Sequence, residues 1–284
     1  SVKRKMINKK GQKTKMKKRK IKIFILCLCT LVLIVGCGAN TKLSKEKKAD
    51  STSEKKPIVE KPVVEKPVVE EPAVEEPIDT TLAFAGDTML MTAALANYES
   101  KGTDGIIDPA YQQLFQTADI AMLNEEFPLS KQGTAMANKE YTFRINPEYV
   151  KWYAGMGIDV VSLANNHALD FGKDALTDTF STLDQAGINY VGAGSSKERA
   201  KAAIIIEKNK KKFGFLSASR VIPVTSWNID EGQPGLFCTY DPSQLVTEIA
   251  KAKQVCDYVV VYVHWGIEYQ AKPAEYQVNM AKQY

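Results

Sequence analysis

Residues 158–172 read IDVVSLANNHALDFG, an apolar run followed by two amides, an imidazole and a carboxylate. A short run of branched apolar residues predicts a buried strand, so the polar side chains would follow at its carboxyl end. Binding sites in α/β domains collect at the carboxyl ends of strands. We therefore take Asn165, Asn166, His167 and Asp170 as candidate site residues.

Apolar and amphipathic segments alternate from about residue 80 onward. Short apolar runs predict strands at residues 81–87, 119–127, 158–167, 188–194, 202–207, 212–218 and 257–266. Helical spacing of apolar residues predicts helices at residues 109–118, 146–157, 173–187, 243–255 and 273–284. The basic stretch 209–212 predicts a hairpin turn. The alternation as a whole predicts an α/β domain.

Three further predicted strands end in potential metal ligands, which are Asp87, Glu126 and His264. Carboxylate, amide and imidazole donors suit Mn, Zn, Fe or Mg. Two cations bridged by a carboxylate would activate a water for attack on a phosphoryl or acyl centre. Each position also has a purely structural alternative. Asp87 could be a turn residue and His264 a buried core residue, and Glu125 rather than Glu126 could be the ligand.

Five segments together carry a resemblance to a known family: GDTML, NEEFPLS, SLANNHALDFG, YVGAG and VHWGIEYQAKPAEYQ. The series resembles the capsule-synthesis proteins of the CapA/PgsA type, which are poly-γ-glutamate biosynthesis proteins with a calcineurin-like metallophosphoesterase fold. The resemblance covers roughly residues 80–284, and ANNH followed by HWGxEY is its specific part. It implies a calcineurin-like αββα four-layer sandwich.

The resemblance implies divalent metal ions, with the identity among Mn, Zn, Fe and Mg left open. Asp87 corresponds to a ligand of one metal, and Glu126 corresponds to the bridging carboxylate in the pattern Asn-x-Glu-x-Pro. Asn166 and His264 correspond to ligands of a second metal. The family continues after the helix at Pro273 with a Gly-His-His-Pro-His segment that supplies further histidines. We therefore expect the fold and the two-metal centre to be C-terminally incomplete in this sequence.

The resemblance gives His167 a different role from the metal ligands. It corresponds to the histidine that contacts the substrate or protonates the leaving group in related phosphoesterases. We infer that Asp170 orients His167 by accepting its other N–H. For Asn165 we favour a cap on the turn after the strand. Trp265 and Tyr269 fit equally well as walls of a substrate groove and as packing residues.

The first 36 residues predict export to the outside of a bacterial cell membrane. They carry 12 Lys/Arg and no Asp/Glu, and a 13-residue apolar stretch at 23–35 is followed by a small residue and Cys37. This order is typical of a signal peptide, and residues 34–37 resemble a bacterial lipoprotein signal in which Cys37 is lipidated. An uncleaved membrane anchor is the alternative.

Residues 37–79 predict a linker rather than a fold. Their second half repeats a five-residue unit such as KPVVE, and proline at that spacing favours extended polyproline II. We interpret it as a semi-rigid stalk, with a peptide-ligand role as the alternative. The third segment, residues 80–284, is then the metallophosphoesterase-fold domain. Cys238 and Cys256 in this domain permit a disulfide, although two unlinked buried thiols fit better.

Charge and resemblance together define the expected partners. The net charge of +5 is concentrated in residues 1–36, and the acidic remainder argues against a nucleic-acid surface. The resemblance implies membrane-bound poly-γ-glutamate synthase subunits and an anionic polymer as partners. Three hypotheses stay open: a hydrolase of polymer amide or phosphoester bonds, a non-catalytic polymer-binding subunit, and an inactive truncated copy.

Overall fold

The computed structural model describes residues 78–284, and the predicted signal peptide, Cys37 and linker lie outside them. The strands are β1 (Leu82–Thr88), β2 (Ile120–Glu125), β3 (Val160–Ser162), β4 (Asn189–Val191), β5 (Ala193–Gly194), β6 (Ile204–Lys208), β7 (Lys211–Ser219), β8 (Gly235–Leu236) and β9 (Tyr258–His264). The helices are α1 (Thr92–Lys101), α2 (Pro109–Thr117), α3 (Lys151–Met156), α4 (Gly172–Ala186), α5 (Lys197–Lys201), α6 (Ser243–Ala252) and α7 (Glu275–Ala281).

The strands form two main sheets. The first sheet has the order β1-β2-β3-β4, and all its neighbours are parallel. The second sheet has the order β6-β7-β9, in which β7 is antiparallel to β6 and parallel to β9. A short antiparallel pair joins β5 and β8. Because β1, β2, β3 and β4 are parallel, their carboxyl ends lie at one edge of the sheet.

The alternation of side chains along β2 shows how the layers are stacked. Ile120 and Met122 point toward the second sheet and contact Phe213 and Phe215 there. Residues of the opposite parity face the helices instead. Leucines and aromatic residues of α3 and α4 cover this face, namely Trp152, Tyr153, Leu176, Phe180 and Leu183.

Helix α6 covers the outer face of the second sheet. Its Leu245, Ile249 and Ala252 pack against Leu216 and Ala218 of β7. The order of layers is therefore helix, sheet, sheet and helix. The predicted αββα four-layer sandwich is confirmed.

Several local predictions can be checked directly. The hairpin between β6 and β7 turns at Asn209 and Lys210, which both have positive φ as a type I′ turn requires. Ser196 caps α5 by accepting a hydrogen bond from the Arg199 N–H, so the chain passes from β5 directly into that helix. Asn146 caps the helical turn before α3 by accepting from the Glu148 N–H.

The two cysteines of the described part differ in burial. Cys238 is buried and Cys256 is partly exposed, and both are free thiols. Cys256 is therefore less buried than expected. Among residues 78–284, no helix combines the length and apolar character that crossing a bilayer requires.

Candidate metal centre

The four predicted ligands meet where the carboxyl edges of the two sheets come together. Asp87 lies near the end of β1, Glu126 directly follows β2, and His264 ends β9. One donor atom from each of these three lies within 4.8 Å of the others. Asn166 follows β3, and its Oδ1 is 2.8 Å from His264 Nε2.

The imidazole of His264 sits between the two carboxylates. Its Nδ1 is 3.5 Å from Asp87 Oδ1, and its Nε2 is 3.8 Å from Glu126 Oε1. Hydrogen bonding to His264 lowers the pKa of the half-exposed Asp87 carboxyl. Burial and the nearby Asp87 charge raise the pKa of Glu126. Two carboxylates this close leave negative charge that a cation would offset.

The donor set fits a divalent cation by its chemistry. Two carboxylates, an amide oxygen and an imidazole are ligands that Mn, Zn, Fe and Mg accept in proteins. Within residues 78–284, Asp87, Glu126 and His264 are the one group of three histidine, cysteine or acidic residues that could hold an ion together. The site predicted from the strand ends is thus assembled as a single cluster.

Two buried asparagines hold this cluster in place from behind. Asn124 of β2 donates from Nδ2 to Asp87 Oδ1 at 2.8 Å and accepts from Asn165 Nδ2 at 3.1 Å. Asn165 Oδ1 accepts the backbone N–H of His167 at 3.0 Å. Asn165 therefore caps the turn, as we expected. Asn124 was not predicted as a site residue, although the pattern Asn-x-Glu-x-Pro begins with it.

His167 and Asp170 lie beside the four predicted ligands and contact each other. His167 Nδ1 is 2.7 Å from Asp170 Oδ2, so the ring N–H can donate to the carboxylate as predicted. The other ring nitrogen, Nε2, faces the cluster at 4.0 Å from Glu126 Oε1. The ring of Phe143 packs on the imidazole with centroids 4.4 Å apart. His167 is therefore oriented on one side and open to the site on the other.

Lys139 is a site residue that sequence reasoning missed. Its Nζ donates to the Asn166 carbonyl at 2.6 Å and to the Asp170 carboxylate, and it lies 3.0 Å from His167 Nδ1. Burial lowers the pKa of this ammonium group, and the hydrogen bond to Asp170 opposes that effect. The residue lies in an irregular segment between β2 and α3, where no apolar periodicity indicates the direction of a side chain.

A cleft of about 460 Å³ opens in front of the cluster. Asp87, Glu126, Asn166, His167 and His264 line one part of it. Val221 and the segment after β9 line the rest, the latter with Trp265, Gly266, Ile267, Glu268, Gln270, Ala271, Lys272, Pro273 and Gln277. Of the two aromatic candidates, Trp265 lines the cleft and also stacks on Tyr284, whereas Tyr269 is fully exposed to solvent.

Residues 81–284 match the family model described as bacterial capsule synthesis protein PGA_cap. The chain belongs to this family. The "PGA biosynthesis protein CapA" of Bacillus subtilis (strain 168) is 31% identical over 205 residues, which are 70% of this chain and 52% of that protein. The "Capsule biosynthesis protein CapA" of Bacillus anthracis is 30% identical over 209 residues, 71% of this chain and 50% of that protein. The chain thus spans about half the length of these two relatives.

The PGA_cap match confirms the family resemblance inferred from the sequence motifs. Among solved structures, the calcineurin-like phosphoesterase YfkN from Bacillus subtilis is similar to this chain. It shares 18% sequence identity, covers 69% of this chain and 65% of its own chain, and has a TM-score of 0.39.

In this PGA_cap domain, the alternation of side chains along β2 shows which of the two adjacent glutamates faces the site. Glu125 shares parity with Ala121 and Leu123 and points into the helical layer, where it is fully buried. Burial raises the pKa of its carboxyl well above the usual range, and the Tyr153 hydroxyl opposes this. Glu126 points the other way, toward His264. Glu126 therefore belongs to the candidate metal cluster, and Glu125 packs in the helical layer behind it.

Proposed function

We propose that this chain is a metal-dependent hydrolase component of capsule assembly at the outer face of the bacterial cell membrane. The observation that carries the proposal is the convergence of Asp87, Glu126, Asn166 and His264 at the floor of an open cleft. His167 faces the same cleft with one ring nitrogen. This combination of cation ligands and a positioned proton carrier is what hydrolysis needs.

Asp87, Glu126, Asn166 and His264 would hold a divalent ion. When bound, such an ion supplies Lewis-acid polarisation of the bond under attack and activation of water. Asn124 would keep the Asp87 carboxylate aimed at the ion through the hydrogen bond at 2.8 Å. Mn, Zn, Fe and Mg all accept this donor set, so the identity of the ion is left to experiment.

His167 would move the proton in this reaction. Its Nδ1–H donates to Asp170, and this hydrogen bond fixes the direction of the ring. Nε2 faces the cleft and would deliver a proton to the leaving group. A positioned general acid of this kind contributes about 10²- to 10⁴-fold to the rate.

Family membership guides the proposed substrate and location. The two similar proteins are described as capsule or PGA biosynthesis proteins. We propose an anionic capsule polymer of the poly-γ-glutamate type, or a phosphoester linked to its assembly, as substrate. Membrane-bound synthase subunits would be its partners, and lipidation of Cys37 would anchor the chain. The cation would offset the acidic lining at Asp87 and Glu126, which otherwise repels a polyanion.

The full chain incubated with Mn²⁺ tests this function on poly-γ-glutamate and on bis(p-nitrophenyl) phosphate. We expect His167→Ala to lower the rate at least about 100-fold while Mn²⁺ binding persists. Tyr269→Ala is the matched control, because this aromatic side chain is fully exposed near the cleft. An unchanged rate in His167→Ala would contradict the proposed proton transfer. Polymer binding without cleavage of either substrate would favour a non-catalytic polymer-binding subunit.

A further inference from the structure

The structure assigns a positioning role to Lys139. We propose that its ammonium group fixes the Asp170 carboxylate and, through it, the ring orientation of His167. The proposal rests on the proposed function in one respect, namely that His167 delivers a proton in the cleft. The contacts that Lys139 makes in the structure do not depend on that function.

Lys139 reaches three groups of the segment that carries the site. Its Nζ donates to the Asn166 carbonyl at 2.6 Å and to Asp170 Oδ1, and it lies 3.0 Å from His167 Nδ1. The side chain is 14% exposed, so it is largely withdrawn from water. An ammonium group withdrawn from water requires a charged or strongly polar partner, and Asp170 provides the charge.

Asp170 is the point through which Lys139 acts on the histidine. Its carboxylate is fully buried and accepts from Lys139, from the Phe143 N–H at 2.7 Å and from His167 Nδ1 at 2.7 Å. The Asp170 carbonyl also accepts the Met136 N–H at 2.7 Å. Each carboxylate oxygen thus has a fixed donor, and this fixes the direction in which the carboxylate accepts the imidazole N–H.

The irregular segment 131–146 therefore holds the histidine from one side. It supplies Lys139 and the Phe143 N–H to Asp170, and the Phe143 ring packs on the imidazole. The ring of Trp227 lies 5.4 Å from Lys139 Nζ and covers the ammonium group. Without the ammonium group, the buried Asp170 charge would lose its cation. The carboxylate would keep the Phe143 N–H as its remaining fixed donor besides the imidazole, so the imidazole bound to it would be held less firmly.

Nitrogen NMR of the full chain labelled with ¹⁵N-histidine tests this role without any need for turnover. The chain has two histidines, so His264→Asn assigns both rings. We expect a solvent-protected Nδ1–H signal from His167 in the wild-type chain. In Lys139→Met this proton should exchange at least about tenfold faster, while Lys131→Met leaves it unchanged. Lys131 is an exposed lysine of the same segment.

Kinetics on bis(p-nitrophenyl) phosphate with Mn²⁺ provide the second readout. We expect Lys139→Met to lower kcat by about 10- to 100-fold with little change in KM, as for other groups that orient active-site side chains. Lys139→Arg should restore part of kcat. Because both residues act on the same ring, Lys139→Met/Asp170→Asn should be no slower than the slower single variant.

The two experiments separate this proposal from the proposed function. If the wild-type chain hydrolyses neither substrate, the proposed function fails and the NMR comparison still decides the role of Lys139. Unchanged His167 exchange in a folded Lys139→Met chain would overturn the positioning role. Should Lys139→Met fail to fold, the double variant Lys139→Met/Asp170→Asn replaces it. A His167 Nδ1–H that is as protected in this variant as in the wild-type chain would also overturn the positioning role.

Discussion

Asn124 couples two ligand-bearing strands although it is not itself a proposed ligand. It is paired with Asp87 across β1 and β2, donates to the Asp87 carboxylate, and accepts from Asn165 on the next strand connection. The position of Asp87, one of the proposed ligands, is thereby linked to the turn that carries Asn166 and His167. Such supporting hydrogen bonds fix the direction of a ligand's lone pairs before a cation arrives.

We expect Asn124→Ala to weaken Mn²⁺ binding about 10- to 100-fold, because Asp87 would lose the amide that orients it. Isothermal titration calorimetry on the full chain measures this directly. Asn189→Ala serves as the control, since Asn189 begins β4, the strand of this sheet that lies farthest from β1. Equal Mn²⁺ affinity in the two variants would show that the carboxylate needs no support.

Gly192 sets how closely the two sheets approach behind the site. It joins β4 to β5 with φ of 81°, and a Cβ there would lie 2.6 Å from Ala164 Cβ and 2.9 Å from the Ser217 carbonyl. The nearby hydroxyls of Ser162 and Ser217 bridge the sheets at 2.7 Å. A side chain at residue 192 would push these strands apart.

Replacement of Gly192 by alanine should therefore lower the free energy of unfolding by more than the positive φ at this residue alone would cause. Gly187 is the matched control, because it has φ of 70° and open space around its Cβ position. We expect Gly187→Ala to lower the free energy of unfolding by about 1 kcal/mol. Gly192→Ala should cost roughly 2 kcal/mol more, owing to the contacts. Denaturant unfolding of both variants compares them, and equal losses would rule out the steric argument.

Elements with a strong apolar pattern could be predicted from the sequence, and those without one could not. Helix α1 has no buried residue, and α5 has five residues, so neither presents a clear apolar stripe. The predicted strand at 158–167 is regular only over Val160–Ser162, since its polar end turns into the site. The convergence of Asp87, Glu126 and Asn166 could be foreseen because parallel strands end on the same side of a sheet. The position of Lys139 in the site could not be predicted, because the path of its segment depends on tertiary contacts.

A bound cation would join both sheets of the sandwich. Asp87 and Glu126 belong to the first sheet and His264 to the second. A ligand that binds only the folded chain stabilises it, by about 2.7 kcal/mol at a concentration 100 times the Kd. We expect Mn²⁺ to raise the Tm of the wild-type chain and EDTA to reverse the rise. The rise should vanish in Asp87→Asn and persist in Asp184→Asn, an exposed control in α4.

The same arrangement has a consequence for the order of folding events. The cluster combines the first strand of the described domain with its ninth, so its donors come together through contacts between segments that are far apart along the chain. Contacts of this kind carry a high loop-closure entropy and tend to form late. A cation would then find its site only after the folding barrier is crossed. It would slow unfolding and leave the refolding rate nearly unchanged, which stopped-flow measurements with and without Mn²⁺ would resolve.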